Sequence, residues 1–263
     1  MASKLVLISG ASSGIGEAAA KLYGARGAHV LLLARNVERL EAVARAIQGA
    51  GGTASPYPVD LADADATAET VARIEREAST PDILINNAGA GRWLPLLSTT
   101  PAEARTMMAV PYFAAFDLTR AFAPGMIARG SGGLVFVSSP ASYIAWPNAS
   151  AYIAARRAMS GLADTLRSEL KGKGISVTLA VLGTVETPYW QHNPGSRENM
   201  PETDPRLVPM LTPEQAAEAV VAGAEAGTPL VVKPAIYRAL FVLNALFPRL
   251  VASQLRRSMP KRY

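Results

Sequence analysis

Cysteine does not occur in the 263 residues, which excludes a disulfide framework, a thiolate metal centre and a cysteine nucleophile. Histidine is nearly as scarce: only His29 and His192 carry imidazole. With so few nitrogen ligands, and with carboxylates scattered over helix faces, no metal site is expected. No apolar run is long enough to span a bilayer. The apolar start, Leu5 to Ile8, is too short for a signal-peptide core and runs into glycine, so the expectation there is a first strand, no export signal and a cytoplasmic protein. Acidic residues are missing from one end: Arg249, Arg256, Arg257, Lys261 and Arg262 face no Asp or Glu after residue 248. The net charge of +5 therefore comes from the tail, and residues 1–248 balance at 21 basic and 21 acidic side chains. The body lacks a basic stripe and an aromatic-basic alternation, which argues against nucleic acid as partner.

What is present is a large apolar fraction, 49% of residues, enough for a sizeable core. Short β-branched or leucine-rich runs at 4–9, 29–34, 54–59, 83–86, 133–138, 176–181 and 230–233 alternate with helical stretches at 14–26, 37–48, 63–78, 101–129, 151–171 and 213–226. That alternation predicts βαβ units around a parallel sheet, one doubly wound α/β domain over 1–234. Residues 183–210 hold five prolines without periodicity and read as a substrate loop, because so long a loop within a domain is usually functional or disordered. Residues 235–263 read as an apolar helical extension with a basic end. It either docks on the domain or on another subunit, or lies at a membrane surface.

After the first strand comes "SGASSGIGEAAAKLYGARG". Gly10, Gly14 and Gly16 stand at a strand-to-helix turn, where missing side chains let backbone N–H groups and a helix N-terminus approach a pyrophosphate. The second strand ends "LLLARN". An acid near that point suits the ribose 2′-hydroxyl of NAD, whereas Arg35 suits the 2′-phosphate of NADP.

Tyr152 and Arg156, in "AYIAARRAM", are four apart on a predicted helix and so share a face. A free phenol, with a pKa of about 10, exchanges its proton poorly near neutrality, and a fixed cation beside it favours the phenolate. With these features in place the chain resembles the short-chain dehydrogenase/reductase family from about residue 4 to 188. "SGASSGIG" resembles its nucleotide turn, adding Ser12, Ser13 and Ile15 to the glycines. "VDL", with Asp60 and Leu61, is similar to its adenine-contacting strand end, and "NNAG", with Asn87, Ala88 and Gly89, to its sheet-stabilising signature. "VSS" at 137–139 precedes "YIAAR" by the family's spacing, Ser139 lying thirteen residues before Tyr152. The resemblance implies a Rossmann sheet in strand order 3-2-1-4-5-6-7, a nicotinamide cofactor, for which Arg35 favours NADP(H) over NAD(H), and oxidoreductase chemistry on a carbonyl/alcohol pair. It implies that Ser139 orients the substrate oxygen, Tyr152 is acid/base and Arg156 clamps the cofactor. In "VLGTVETP" it assigns Gly183, Val185 and Thr187 to the nicotinamide side.

Three positions depart from the family pattern. Arg156 replaces its lysine, Pro111 stands where its asparagine bends a helix, and Leu182 replaces a proline before Gly183. Arginine keeps its charge and offers five donors but releases no proton. Proline in a helix removes a donor and kinks the chain. The electrostatic half of the family machinery is thus expected intact and the proton supply altered. Two functions follow: an NADPH-dependent carbonyl reductase or alcohol dehydrogenase, or a nucleotide-binding protein with impaired catalysis that acts as sensor or partner subunit.

The substrate side is expected to be lined by Trp93, Tyr143, Ile144, Trp146, Tyr189, Trp190 and His192, which suits a small hydrophobic ketone, aldehyde or alcohol. The family implies a homodimer or homotetramer through helices 101–129 and 151–171, where Ala154, Ala155, Ala158 and Gly161 permit close approach.

Overall fold

Apolar runs without alternation become strands buried on both faces, as expected for a parallel sheet covered by helices on each side. In the computed structural model, which describes residues 3–89, 91–201 and 204–259, seven strands form one sheet. They are β1 (Leu5–Ser9), β2 (His29–Ala34), β3 (Thr53–Pro58), β4 (Ile83–Asn86), β5 (Gly132–Ser138), β6 (Ile175–Leu182) and β7 (Leu230–Lys233). All pairs are parallel, in the order β3-β2-β1-β4-β5-β6-β7. Lys261 and Arg262 of the basic tail lie outside the described residues.

Strand residues alternate between two cores. Val6, Ile8, Val30, Leu32, Ile83 and Ile85 point to one face, under α1 (Gly14–Ala25), α2 (Val37–Gly49) and, later in the chain, a helix at Pro213–Ala226. Leu7, Leu31, Leu33, Leu84, Leu134 and Phe136 point to the other, under α3 (Ala64–Glu77), α5 (Ala114–Arg129) and α6 (Ser150–Glu169), while α4 (Pro101–Met108) packs against α6 and buries Met107 in a smaller cluster with Trp93 and Tyr152. β3 carries Pro56 and Pro58 opposite Leu32 and Ala34. As an edge strand it leaves its other side unpaired, where a missing N–H is tolerated.

The helix expected over 101–129 is divided. A π-turn at Ala109–Phe113 separates α4 from α5, with the Ala114 N–H donating to the Ala109 carbonyl. Pro111 sits buried within it, and its lack of an N–H makes a regular α-helical ladder unattainable there.

The loop over 183–210 is not wholly irregular: it holds α7 (Tyr189–His192) and a 3₁₀ turn at Arg197–Asn199, before α8 (Pro213–Ala226). The C-terminal extension is two helices, α9 (Ile236–Leu246) and α10 (Pro248–Arg257), broken where Pro248 starts a new first turn. No helix among the described residues is long and apolar enough to cross a membrane. Chain order reverses between β1 and β4, so the carboxyl ends of the strands open into a crevice at that point.

Candidate active site

A cavity of about 1320 Å³ occupies that crevice. Its floor is tied together by the ends of β1 and β4. The Ser9 hydroxyl accepts from the backbone N–H groups of Asn87 and Ala88, both at 3.0 Å, and the Asn87 amide donates to the Ser9 carbonyl at 3.0 Å and the Gly10 carbonyl at 3.2 Å. Asn86 reaches the other way, its amide donating to the Thr119 hydroxyl on α5 at 3.2 Å.

Gly10 and Gly14 adopt φ of +69° and +57°, in the left-handed region that side chains resist. A Cβ on Gly14 would come within 2.9 Å of Thr187 Cγ2. Gly16 has a different task. It does not reach the cavity, and a Cβ there would lie 2.2 Å from the Gly10 carbonyl oxygen and 2.6 Å from the Asn87 amide nitrogen. Gly16 therefore lets α1 pack against the turn, and it stands behind the residues that face the cavity. Ser13, the N-cap of α1, makes no side-chain cap, whereas Asn36, Asp63, Thr100 and Thr212 cap α2, α3, α4 and α8. The first N–H groups of α1 are thus available to an anion at the cavity edge.

The other expected cofactor residues all line the same cavity: Ser12, Ser13, Ile15, Arg35, Asp60, Leu61, Asn87, Ala88, Gly89, Tyr152, Arg156, Gly183, Val185 and Thr187. Arg35 is exposed, its guanidinium only 4.0 Å from the Asp60 carboxylate. That loose surface contact leaves the cation largely uncommitted.

At the far end stand Ser139, Tyr152 and Arg156. Ser139 follows β5, and its hydroxyl accepts from the Ala141 N–H at 3.2 Å, so its own proton stays free to donate. Tyr152 and Arg156 are one turn apart on α6, with the guanidinium carbon 4.9 Å from the phenol ring centroid, within cation–π range. Arg156 is only 7% exposed. Nη1 lies 3.7 Å from Met159 Sδ, and Nε has no partner among the described residues. No acidic side chain among the described residues pairs with it. A nearly buried guanidinium with an orphaned donor fits a polar or anionic ligand entering from the cavity. Gly89 leaves room for it, since a Cβ there would be 3.0 Å from Nη2. The cradle at Gly10 and Gly14, the uncapped α1, Arg35 and Arg156 together fit a dinucleotide laid across the crevice.

On the substrate side, Trp93 lies against both Trp146 and Tyr152, ring centroids 6.1 and 5.7 Å apart. Tyr189, Trp190 and the exposed His192 also line the cavity. The Tyr189 hydroxyl donates to the Gly91 carbonyl. Burial, and secondarily the neighbouring Tyr152, hold its pKa well above the ordinary phenol value, so it stays a neutral donor. Tyr143 and Ile144 do not line the cavity. Tyr143 instead packs on Phe241 of α9, with ring centroids 4.6 Å apart. The loop turns its ring toward the C-terminal helices, a direction no local pattern encodes.

Sequence reasoning missed Asn193 and Ser196, both buried polar residues. The Asn193 side-chain oxygen accepts from the Gly91 N–H and the Ser196 hydroxyl from the Trp93 N–H, each at 3.2 Å. These bonds tie the 183–210 loop to the segment that presents Trp93. It also missed Met107 and Val110 near the π-turn, and Tyr237, Leu240 and Leu255 of the C-terminal helices, all cavity-lining.

A family model described as short chain dehydrogenase matches residues 4–197. The chain belongs to the short chain dehydrogenase family. Among its relatives, an uncharacterized oxidoreductase of Mycobacterium tuberculosis is 40% identical over 219 residues, which are 81% of this chain and 62% of the relative. The chain thus spans less than two thirds of that relative. A fatty acyl-CoA reductase of the same organism is 34% identical over 261 residues, covering 97% of this chain and 84% of the reductase. A metagenomic short-chain oxidoreductase solved in complex with NADP is 32% identical, with a TM-score of 0.72 over 87% of this chain and 94% of that one. Within the family the matched span carries the cavity's nucleotide turn, Ser139, Tyr152 and Arg156, whereas α9 and α10 lie beyond it.

Proposed function

We propose that this member of the short chain dehydrogenase family is an NADP(H)-dependent oxidoreductase that interconverts a hydrophobic ketone or aldehyde and its alcohol, with Tyr152 as acid/base. The observation that carries the reading is Arg156, a nearly buried guanidinium without an acid partner among the described residues, set over the Tyr152 ring. When bound, the nicotinamide supplies a hydride to the substrate carbon or takes one from it. In the reductive direction Tyr152 gives its hydroxyl proton to the substrate oxygen, and in the oxidative direction it takes that proton back. Ser139 holds the same oxygen with the hydrogen its Ala141 contact leaves free. Arg156 keeps its charge at every working pH, so it stabilises the phenolate that remains after proton transfer and presents donors to the nicotinamide ribose. It cannot resupply the proton, which must come from water by another route.

Arg35 supports the choice of NADP(H), and the NADP-bound relative agrees with it. A wall of Trp93, Trp146, Tyr189 and Trp190 supports an apolar substrate, and the fatty acyl-CoA reductase relative points the same way.

The test is NADPH and NADH consumption over a panel of long-chain aldehydes and aromatic ketones, with nucleotide binding measured in parallel. Turnover should occur with NADPH and fall about tenfold or more with NADH, the loss of roughly one charge-assisted phosphate contact. Tight NADPH binding without turnover on any member of the panel would replace this reading with a nucleotide-binding sensor or partner subunit. Failure to bind either nucleotide would overturn the cofactor assignment.

A further inference from the structure

The C-terminal helices present two unlike faces. Inward, Tyr237 and Leu240 of α9 and Leu255 of α10 wall the cavity, and Tyr237 is buried enough for its pKa to be pushed up to about 12. Outward, Val242, Leu243, Leu246, Phe247 and Leu250 are exposed, Leu246 at 67% and Phe247 at 55%. They cluster along the chain around Pro248, where α9 gives way to α10 and the two helices lie in contact as a helical pair, here called the hairpin. Monomeric proteins seldom leave such a patch in water.

Charge decides what covers it. No acid follows Glu225, while Lys233, Arg238, Arg249, Arg256, Arg257, Lys261 and Arg262 do, and Arg238, Arg249, Arg256 and Arg257 are exposed. A second copy of the same hairpin would bring like charges together. An anionic lipid leaflet matches both features, accepting the apolar segment among its acyl chains and the arginines among its headgroups. α9, with 11 residues, is about 16 Å long, short of a bilayer core, so the hairpin lies in the interface.

We propose that α9 and α10 dock the protein on an anionic membrane surface through the segment at Val242 to Leu250, placing the wall of the cavity against the lipid. Access of a lipid-dissolved carbonyl compound past Leu240 and Leu255 is the part that rests on the function proposed above; docking itself does not.

The experiment is flotation of the full chain with vesicles of phosphatidylcholine alone or mixed with phosphatidylglycerol, read without any turnover, so failure of catalysis and failure of docking are separable. Each cation near an anionic leaflet strengthens binding about fivefold. The protein should therefore float with the mixed vesicles at least about tenfold more than with the neutral ones, and less as salt rises. Leu246→Glu/Phe247→Glu and, separately, Arg256→Glu/Arg257→Glu should each abolish that difference while NADPH binding is kept. The proposal is overturned if the mixed vesicles recruit no protein or if both double variants float like the parent. It is equally overturned if the apolar double variant halves the particle mass in vesicle-free light scattering, which would make the segment a contact between copies.

Discussion

Arg156 shows what a spacing can and cannot reveal at the scale of one residue. Its place one turn after Tyr152 was legible, because a four-residue step fixes which side chains share a helix face. That the guanidinium covers the ring and keeps an orphaned Nε was not, since rotamers depend on Gly89 and Met159 from the surroundings. Replacing it with lysine restores a group that can exchange a proton. Arg156→Lys is expected to retain NADPH turnover and to change the kcat–pH profile; an unchanged profile would place the proton supply elsewhere. Arg35 was legible by its position at the end of β2, and Arg35→Asp should raise KM for NADPH about tenfold or more while sparing NADH. Equal KM values in parent and variant would remove Arg35 from the nucleotide. Asn193 and Ser196 were illegible because a polar loop residue gives no sign that its partner is the backbone of a segment far upstream.

Elements were read from apolar runs and the helical stretches between them, and their ends shifted by a residue or two where hydrogen bonding, not hydrophobicity, sets the boundary. The larger change is the π-turn at Ala109–Phe113. The sequence announced a disturbance at Pro111, but only the chain's path shows that the helix absorbs it with a longer hydrogen-bonded turn instead of a simple kink. The β2–β3 edge carries a pH-dependent contact, His29 Nε2 to Ser55 Oγ at 2.9 Å. Burial lowers the His29 pKa below 6.5. The unfolded chain therefore takes up the proton first as pH falls, so the contribution is full above about pH 6.5 and is lost on acidification through the lowered folded value. Urea unfolding should show stability falling across that window, and His29→Gln should flatten the acid limb. An identical slope in the variant would assign the pH dependence to other groups.

At the scale of the whole molecule, the strand order followed from the resemblance and from seven apolar runs, and the sheet has that order. Long-range coverage was not readable: nothing local announces that Leu240 and Leu255 meet the cavity or that Tyr143 turns to Phe241. The four small residues of α6 divide in the same way, Ala155 entering the core while Ala154 and Gly161 stay exposed. Phe113 at the π-turn and Phe116 on α5 are also exposed, in the 101–129 stretch through which the resemblance implies contact between copies. Phe113→Glu/Phe116→Glu should reduce the mass in light scattering to that of one chain, and an unchanged mass would exclude this face as the interface. The central claim, that one cavity joins a dinucleotide cradle to a catalytic phenol, is tested most directly by Tyr152→Phe in single-turnover NADPH oxidation with a hydrophobic carbonyl substrate that the parent reduces. The account predicts unchanged NADPH binding and a rate lower by at least about 10²-fold, the scale of a positioned acid/base. A variant that reduces the substrate as fast as the parent would contradict it.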